Sequence, residues 1–279
     1  MSYNVRRNNN QKKQNYTDNN SQNPENNSPI AQLFRTYQTE LDARYDKYER
    51  LIKKSRDVTI ESKRIIFLLH RVSSNENNEI ILQEAETRLR DLFNDVISEI
   101  SAELTKREVF QFIRAFSPGL QEFIEAVSFY YYLKNGNVVN IEEIHHPDFL
   151  QKVHEENSPE IPFPTTPGVP FSLLLTPTDF VLGIADLTGE LMRKCINSVA
   201  SGNIEEPFDL CLVLQGIYEA FLSCRNSSKE LRRKIVTLKS SLQKVENACY
   251  AIKIRGSEIP KHMLTDFFSN DDEGVDCDL

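Results

Sequence analysis

Apolar residues recur along most of this chain at steps of three and four, the spacing that gathers them on one face of a helix. After Ser28-Pro29, a capping hydroxyl followed by a proline suited to the first turn, the stripe runs through Leu33, Tyr37, Leu41, Tyr45, Tyr48 and Ile52. Nothing breaks that helix before about Val72, and its last turns, Ile65 to Leu69, are apolar nearly all round, which predicts a deeply packed end. A helix of that length spans about 60 Å and suits a bundle or an extended oligomer. A second helix is expected from about Glu79 to Leu104, carried by Ile80, Leu82, Leu89, Leu92, Phe93, Val96 and Ile100. Thr105-Lys-Arg-Glu108 has the form of a capping box and opens a third. Pro118 should kink or restart that helix, with Ser117 capping its second part, and the end comes near Lys134-Asn-Gly136.

Beyond this point the pattern weakens and then returns. Asn140 can cap a short helix, Ile141 to His146. A Pro-rich loop at about 155–173 holds Pro159, Pro162, Pro164, Pro167 and Pro170 and reads as exposed chain. Thr176-Pro177-Thr-Asp179 then starts a helix that runs to about Ala200 and stops before Gly202. Glu205-Glu-Pro207 opens another, to about Cys224. The last long helix runs from Ser228 to Arg255 and stops at Gly256, with a regular seam of Leu231, Ile235, Leu238, Leu242, Val245, Cys249 and Ile252. An amphipathic piece follows Pro260. No strand-like alternation and no repeat stands out. The expectation is an all-α protein, an antiparallel bundle of about seven helices forming one domain over 30–268. It would be flanked by a disordered Asn- and Gln-rich tail at 1–29 and an acidic disordered tail at 269–279.

Composition narrows the function classes. The chain has 279 residues, a net charge of −8, no tryptophan and five cysteines, spread out with no CxxC among them. That points to reduced, intracellular thiols. No run of eighteen apolar residues occurs, so no membrane span is expected. An acidic chain is a poor non-specific ligand for nucleic acid, so such binding would need a local basic patch or a partner's. Basic clusters do occur: Lys53, Lys54, Arg56, Lys63 and Arg64 on the first helix, and Arg232, Arg233, Lys234, Lys239 and Lys244 on the last. Each is either a contact surface or a solvated helix face. Tyr130-Tyr-Tyr132 is either a stacking platform or core. Arg6-Arg7 and Lys12-Lys13 read as a weak nuclear-import signal or, more simply, as solvating charge.

Two carboxylate pairs carry the candidate chemistry. Glu122 and Glu125 share a face of the third helix at i,i+3, in line with Ala126, Phe129 and Leu133. Carboxylates about 4 Å apart repel by roughly 4 kcal/mol at an effective dielectric near 20, so a proton, a basic neighbour or a divalent cation should offset them. Asp186 and Glu190 stand at i,i+4 on a later helix, opposite its apolar face of Phe180, Ile184, Leu187 and Leu191, with Gly183 and Gly189 permitting close approach. If the helices pack together, four carboxylates converge and could hold Mg2+ or Mn2+ for attack on a phosphodiester. On residues alone the alternative stands: these are ordinary helix-surface acids. Glu142-Glu-Ile-His145 is one Glu-x-x-His, where a di-iron bundle needs two. No nucleophile elbow, P-loop, dinucleotide fingerprint or zinc spacing is present.

Five blocks resemble the translin family, and within it the X-type subunits: Leu41-Asp-Ala-Arg-Tyr-Asp-Lys-Tyr-Glu-Arg-Leu51, Glu61-Ser-Lys-Arg, Gly119-Leu-Gln-Glu-Phe-Ile-Glu-Ala-Val-Ser-Phe129, Gly183-Ile-Ala-Asp-Leu-Thr-Gly-Glu-Leu-Met-Arg193 and the run from Lys244 to Met263. The resemblance covers about 30–268. It implies an all-α fold and a hetero-oligomer with translin, often a closed octamer around single-stranded nucleic acid, RNA and also DNA. It further implies a Mg2+-dependent endoribonuclease that acts on single-stranded RNA and promotes activation of the RNA-silencing complex RISC by removing nicked passenger strands, in the cytoplasm and nucleus. Carried over residue by residue, the catalytic and metal-binding carboxylates fall on Glu122, Glu125 and Asp186, with Glu190 as a further acidic position. The runner-up reading is a non-catalytic partner that stabilises translin.

Overall fold

In a computed structural model the described residues are 28–72, 77–145 and 169–255. Outside them lie most of the expected N-terminal tail with its basic pairs, the polar turn after Ser73, most of the Pro-rich loop, the stop at Gly256 and the acidic tail. Among the described residues every regular element is helical, as expected. The order is α1 (Pro29–Leu69), α2 (Asn78–Leu92), a π-helical turn (Phe93–Ile97), α3 (Ser98–Glu103), α4 (Val109–Asn135), α5 (Ile141–His145), α6 (Phe171–Leu174), α7 (Pro177–Ser201), α8 (Glu206–Cys224) and α9 (Lys229–Arg255).

The chain forms two compact units, residues 1–47 and 48–279. In the first, the described residues are the opening turns of α1. Their Leu33, Tyr37, Leu41 and Tyr45 are exposed, so that unit does not bury the stripe they form. In the second, α4 packs along α7, α7 against α8 and α9, and α2 against α4. Its core is led by Phe116, Phe123, Phe129, Leu51, Ile65, Leu69 and Leu89. The α9 seam from Leu231 to Ile252 is buried throughout.

Helix starts follow their capping chemistry. Thr176 Oγ1 accepts from Asp179 N at 3.1 Å with Pro177 in the first turn. Ser228 Oγ accepts from Leu231 N at 3.0 Å. Gly136 and Gly202 end α4 and α7 at φ 74 and 83, the left-handed conformation glycine adopts without strain. Only half of the Thr105–Glu108 box forms: Glu108 Oε2 accepts from Thr105 N at 2.9 Å, but the Thr105 hydroxyl donates to the same carboxylate, and α4 begins after this turn.

Three local expectations are corrected. Pro118 does not restart a helix: α4 runs through it. Ser55 of α1 serves the backbone there, accepting from Gly119 N at 3.0 Å and donating to Phe116 O at 3.3 Å, while Ser117 donates to Asp179 rather than capping. The second helix is not a plain α-helix but carries the π turn. The described end of the Pro-rich loop is packed, with Val169 and Leu174 buried and α6 between them. By length and composition alone α8 could also cross a membrane. In this fold its Leu210, Leu214, Ile217 and Phe221 are buried in the core.

Two glycines set the helix spacing around the centre. A Cβ on Gly119 would lie 2.6 Å from Ser55 O, and one on Gly183 would lie 2.7 Å from Ile124 Cβ. Gly189, the other expected close-approach position, meets nothing within 4 Å. Gly183→Ala should therefore overpack the α4–α7 contact and cost about 1–3 kcal/mol. This is read as a lower urea midpoint; an unchanged midpoint would show that the two helices are not in that contact.

Candidate metal-dependent phosphodiester site

The two carboxylate pairs meet where α4 lies along α7. From Phe123 to Tyr130 α4 is buried all round, Glu125 included, while Glu122 at the edge of that stretch is half-buried. The close contact at Gly183 brings α7 down on the same stretch of α4. Asp186 follows one turn later and Glu190 a turn after that. Glu125 is the most enclosed, 8% exposed. The Glu122, Asp186 and Glu190 side chains are 24%, 38% and 22% exposed, so the α7 pair faces neither the apolar core nor open solvent.

Basic groups from two further helices close the site. Lys63 Nζ of α1 stands 3.1 Å from Glu122 Oε1. Lys234 Nζ of α9 donates to both carboxylate oxygens of Asp186, at 2.5 Å each. His70, just after α1, bonds through Nε2 to Glu190 Oε2, and its ring lies 4.9 Å from that of Phe129. Arg193 Nη1 is 3.8 Å from the same Glu190 oxygen.

The electrostatics show that the four carboxylates act on one another. Burial, then the charges of Asp186, Glu122 and Glu190, push the Glu125 carboxyl up to about 8, against the pull of Lys63. Among the described residues no hydrogen bond is made to it. The hydrogen bond to Glu122 and that residue's charge raise Lys63, with Glu125 and Asp186 adding to the effect. Glu190 is held below the usual carboxylate range by its His70 bond, with the His70 and Arg193 charges helping and burial opposing.

The two carboxylate pairs are therefore near enough to feel one another's charge. A finished ligand cage is not present: among the described residues no three His, Cys, Asp or Glu side chains are grouped so as to hold one metal ion. The donor set still fits Mg2+ or Mn2+ in kind. It is all carboxylate oxygen, and its buried member is destabilised as an anion by its three neighbours, which a divalent cation would relieve. The carboxylates line neither of two surface grooves, one beside Arg71, Asn78 and Glu84 and the other between Asp57, Arg64, Arg88 and Asp95.

Other candidates resolve into structure. Within the Glu-x-x-His segment Glu143 makes a reciprocal cap with Asn140, at 2.9 and 2.8 Å, and accepts from Tyr131 Oη at 2.9 Å, while the side chains of His145 and His146 lie outside the described residues. Tyr130 and Tyr132 are buried, Tyr130 donating to Glu86 at 2.6 Å, so these two are core rather than a stacking surface. Lys54 is matched by Glu103 of α3 at 2.9 Å. Burial pushes the Cys195 and Cys249 thiols up to about 12, which leaves them protonated and inert. Sequence reasoning missed His70. Its one signal is a lone histidine directly after the apolar run Ile65–Leu69.

The chain is similar to proteins of one family. The translin family's sequence model matches residues 46–256. The mouse (Mus musculus) translin-associated protein X is 48% identical over 255 residues, 89% of this chain and 87% of that protein. The fission-yeast (Schizosaccharomyces pombe) translin-associated protein X homolog is 25% identical over 234 residues, 82% of this chain and 90% of its own length. Among solved structures, the AfC3PO–duplex RNA complex superposes with a TM-score of 0.58 at 18% identity, over 81% of this chain and 99% of that one, a likeness of fold.

Glu125 makes the site pH-sensitive with a definite sign. The folded chain holds a proton there up to about pH 8, whereas an unfolded glutamate releases it near 4.5. Between those values the folded state binds more protons, so stability falls as pH rises, toward a ceiling of about 5 kcal/mol. In chelator, Glu125→Gln should match wild type near pH 4.5 and exceed it progressively toward pH 8.5 in chemical denaturation. Parallel curves would contradict the assignment.

Proposed function

The chain belongs to the translin family, and on that premise we propose that it is the catalytic subunit of a metal-dependent endoribonuclease formed with translin. The observation that carries this reading is the convergence of Glu122, Glu125 and Asp186, from two helices, on a volume where Glu125 is buried and charge-stressed. Translin partnership is supported by the name of the 48%-identical mouse relative, translin-associated protein X. RNA as ligand is supported by the fold shared with a protein solved in complex with duplex RNA.

In this reading Glu122, Glu125 and Asp186 would hold Mg2+, and Glu190, fixed by His70, would orient water or complete the set. The cation supplies an activated water and charge stabilisation for in-line attack at phosphorus. The chain's own groups bind and position. Lys63 and Lys234 offer ammonium groups beside the carboxylates, able to take phosphate oxygens. The overall charge of −8 makes a partner's RNA-holding surface useful. The substrate is single-stranded RNA, single-stranded DNA being a ligand of the same complex. The proposal extends to a closed octamer, to RISC activation by passenger-strand removal, and to action in cytoplasm and nucleus.

A second reading, a non-catalytic partner of translin, is favoured by the lysine pairing of Glu122 and Asp186 and by the lack of a ready three-ligand group among the described residues. One experiment separates them. Glu122→Gln and Asp186→Asn, each reconstituted with translin, should lower Mg2+-dependent cleavage of a single-stranded RNA by about 10³-fold while the assembly elutes unchanged. Wild-type cleavage rates in both would establish the scaffold reading.

A further inference from the structure

Four helices supply the charged groups of this centre, and two of them supply only cations. Lys63 comes from α1 and Lys234 from α9, 171 positions apart in the chain. Each places Nζ against a different carboxylate of the converged set: Glu122 at 3.1 Å and both oxygens of Asp186 at 2.5 Å. His70 and Arg193 do the same for Glu190. Glu125 has no basic partner at hydrogen-bond distance among the described residues, and it is the buried one. The centre's charge is thus matched without a metal. A divalent ion held by Glu122 and Asp186 would share their oxygens with both ammonium groups, and like charges that close repel strongly in a half-buried setting. The lysines and the ion therefore compete for the same oxygens.

The backbone allows the exchange. Ile65 and Ile66 anchor α1 beside Lys63, and Ile235 and Leu238 anchor α9 beside Lys234, so only the flexible lysine stems need to move. The Lys63 side chain is 63% exposed with one oxygen to leave; that of Lys234 is 23% exposed and its Nζ is shared between two oxygens. Once displaced, each ammonium lies beside the place a phosphodiester must occupy to be attacked.

Resting on the metal-dependent reading above, we propose that Lys63 and Lys234 are exchangeable counter-cations of the site. They hold Glu122 and Asp186 when no divalent ion is bound, and they change partners to substrate phosphate when one enters. Cation and RNA then each strengthen the other's binding, since coupling between sites is reciprocal. Lys234, the less exposed and doubly bonded lysine, carries most of the competition.

The test measures Mn2+ binding rather than turnover. The full chain in complex with translin, stripped with chelator, is titrated with Mn2+, and free ion is followed by electron paramagnetic resonance, with and without a single-stranded 2′-O-methyl oligoribonucleotide. Wild type should bind Mn2+ more tightly with the oligonucleotide present. Without it, Lys234→Met should bind Mn2+ about tenfold more tightly than wild type and Lys63→Met a few-fold more tightly, and both should lose most of the oligonucleotide's effect. Lys234→Arg, which keeps the charge, should stay near wild type. Asp186→Asn identifies the ion bound at this centre. If wild type shows Asp186-dependent binding but Lys234→Met binds no more tightly, the counter-cation role is overturned while the metal site stands. If no Mn2+ binding depends on Asp186, the metal site falls and the inference with it.

Discussion

A carboxyl group enclosed by three others is the constraint from which the rest of this centre follows. Glu125 is 8% exposed because α4 is enclosed on every side from Phe123 to Tyr130. Two carboxylates about 4 Å apart already oppose each other by roughly 4 kcal/mol at an effective dielectric near 20, and here Glu125 feels Asp186, Glu122 and Glu190 together. The surrounding chemistry relieves that strain. Glu125 keeps its proton. The other three carboxylates each take a basic partner from a helix or turn distant in sequence. The glycine contacts that hold α1 and α7 tightly against α4 make the convergence possible, since a Cβ at Gly119 or Gly183 would force the helices apart.

Much of the scaffold was legible because helix starts and stops are local chemistry. Thr176-Pro177, Ser228, Gly136 and Gly202 all act where their residue types and φ values demand. The α9 seam is legible for the same reason, a repeat that any packed helix must bury. What escaped the sequence depends on partners far along the chain. Pro118 reads as a break, but Ser55, over sixty residues away, takes up the Gly119 N–H beside it and α4 continues. The π turn has no sequence signal of its own. Its Phe93 packs between Phe123 and Phe171, rings that come from other helices. Leu33, Tyr37, Leu41 and Tyr45 repeat as a buried stripe would, yet are exposed in their unit: periodicity reports a face and not what covers it.

The site divides along the same line. Helix phase alone pairs Glu122 with Glu125 and Asp186 with Glu190. It cannot bring the pairs together, because that depends on α4 and α7 meeting at Gly183. Nor can spacing reveal that Lys234 belongs to Asp186 or His70 to Glu190, contacts spanning 48 and 120 residues. The polar face of α7, which argued for ordinary surface acids, is in the fold the wall of a charged junction covered by Lys234 and His70. Membership of the translin family and the junction's chemistry point the same way.

The central claim is that this junction holds a divalent cation. The most direct measurement is a crystal of the translin complex soaked in Mn2+, with anomalous diffraction recorded for manganese. The account predicts an anomalous peak between α4 and α7 at an ordinary ligand distance of about 2.1 Å from carboxylate oxygens of both helices, with Lys63 and Lys234 turned away. No peak there at saturating Mn2+, with both lysines still on Glu122 and Asp186, would contradict it.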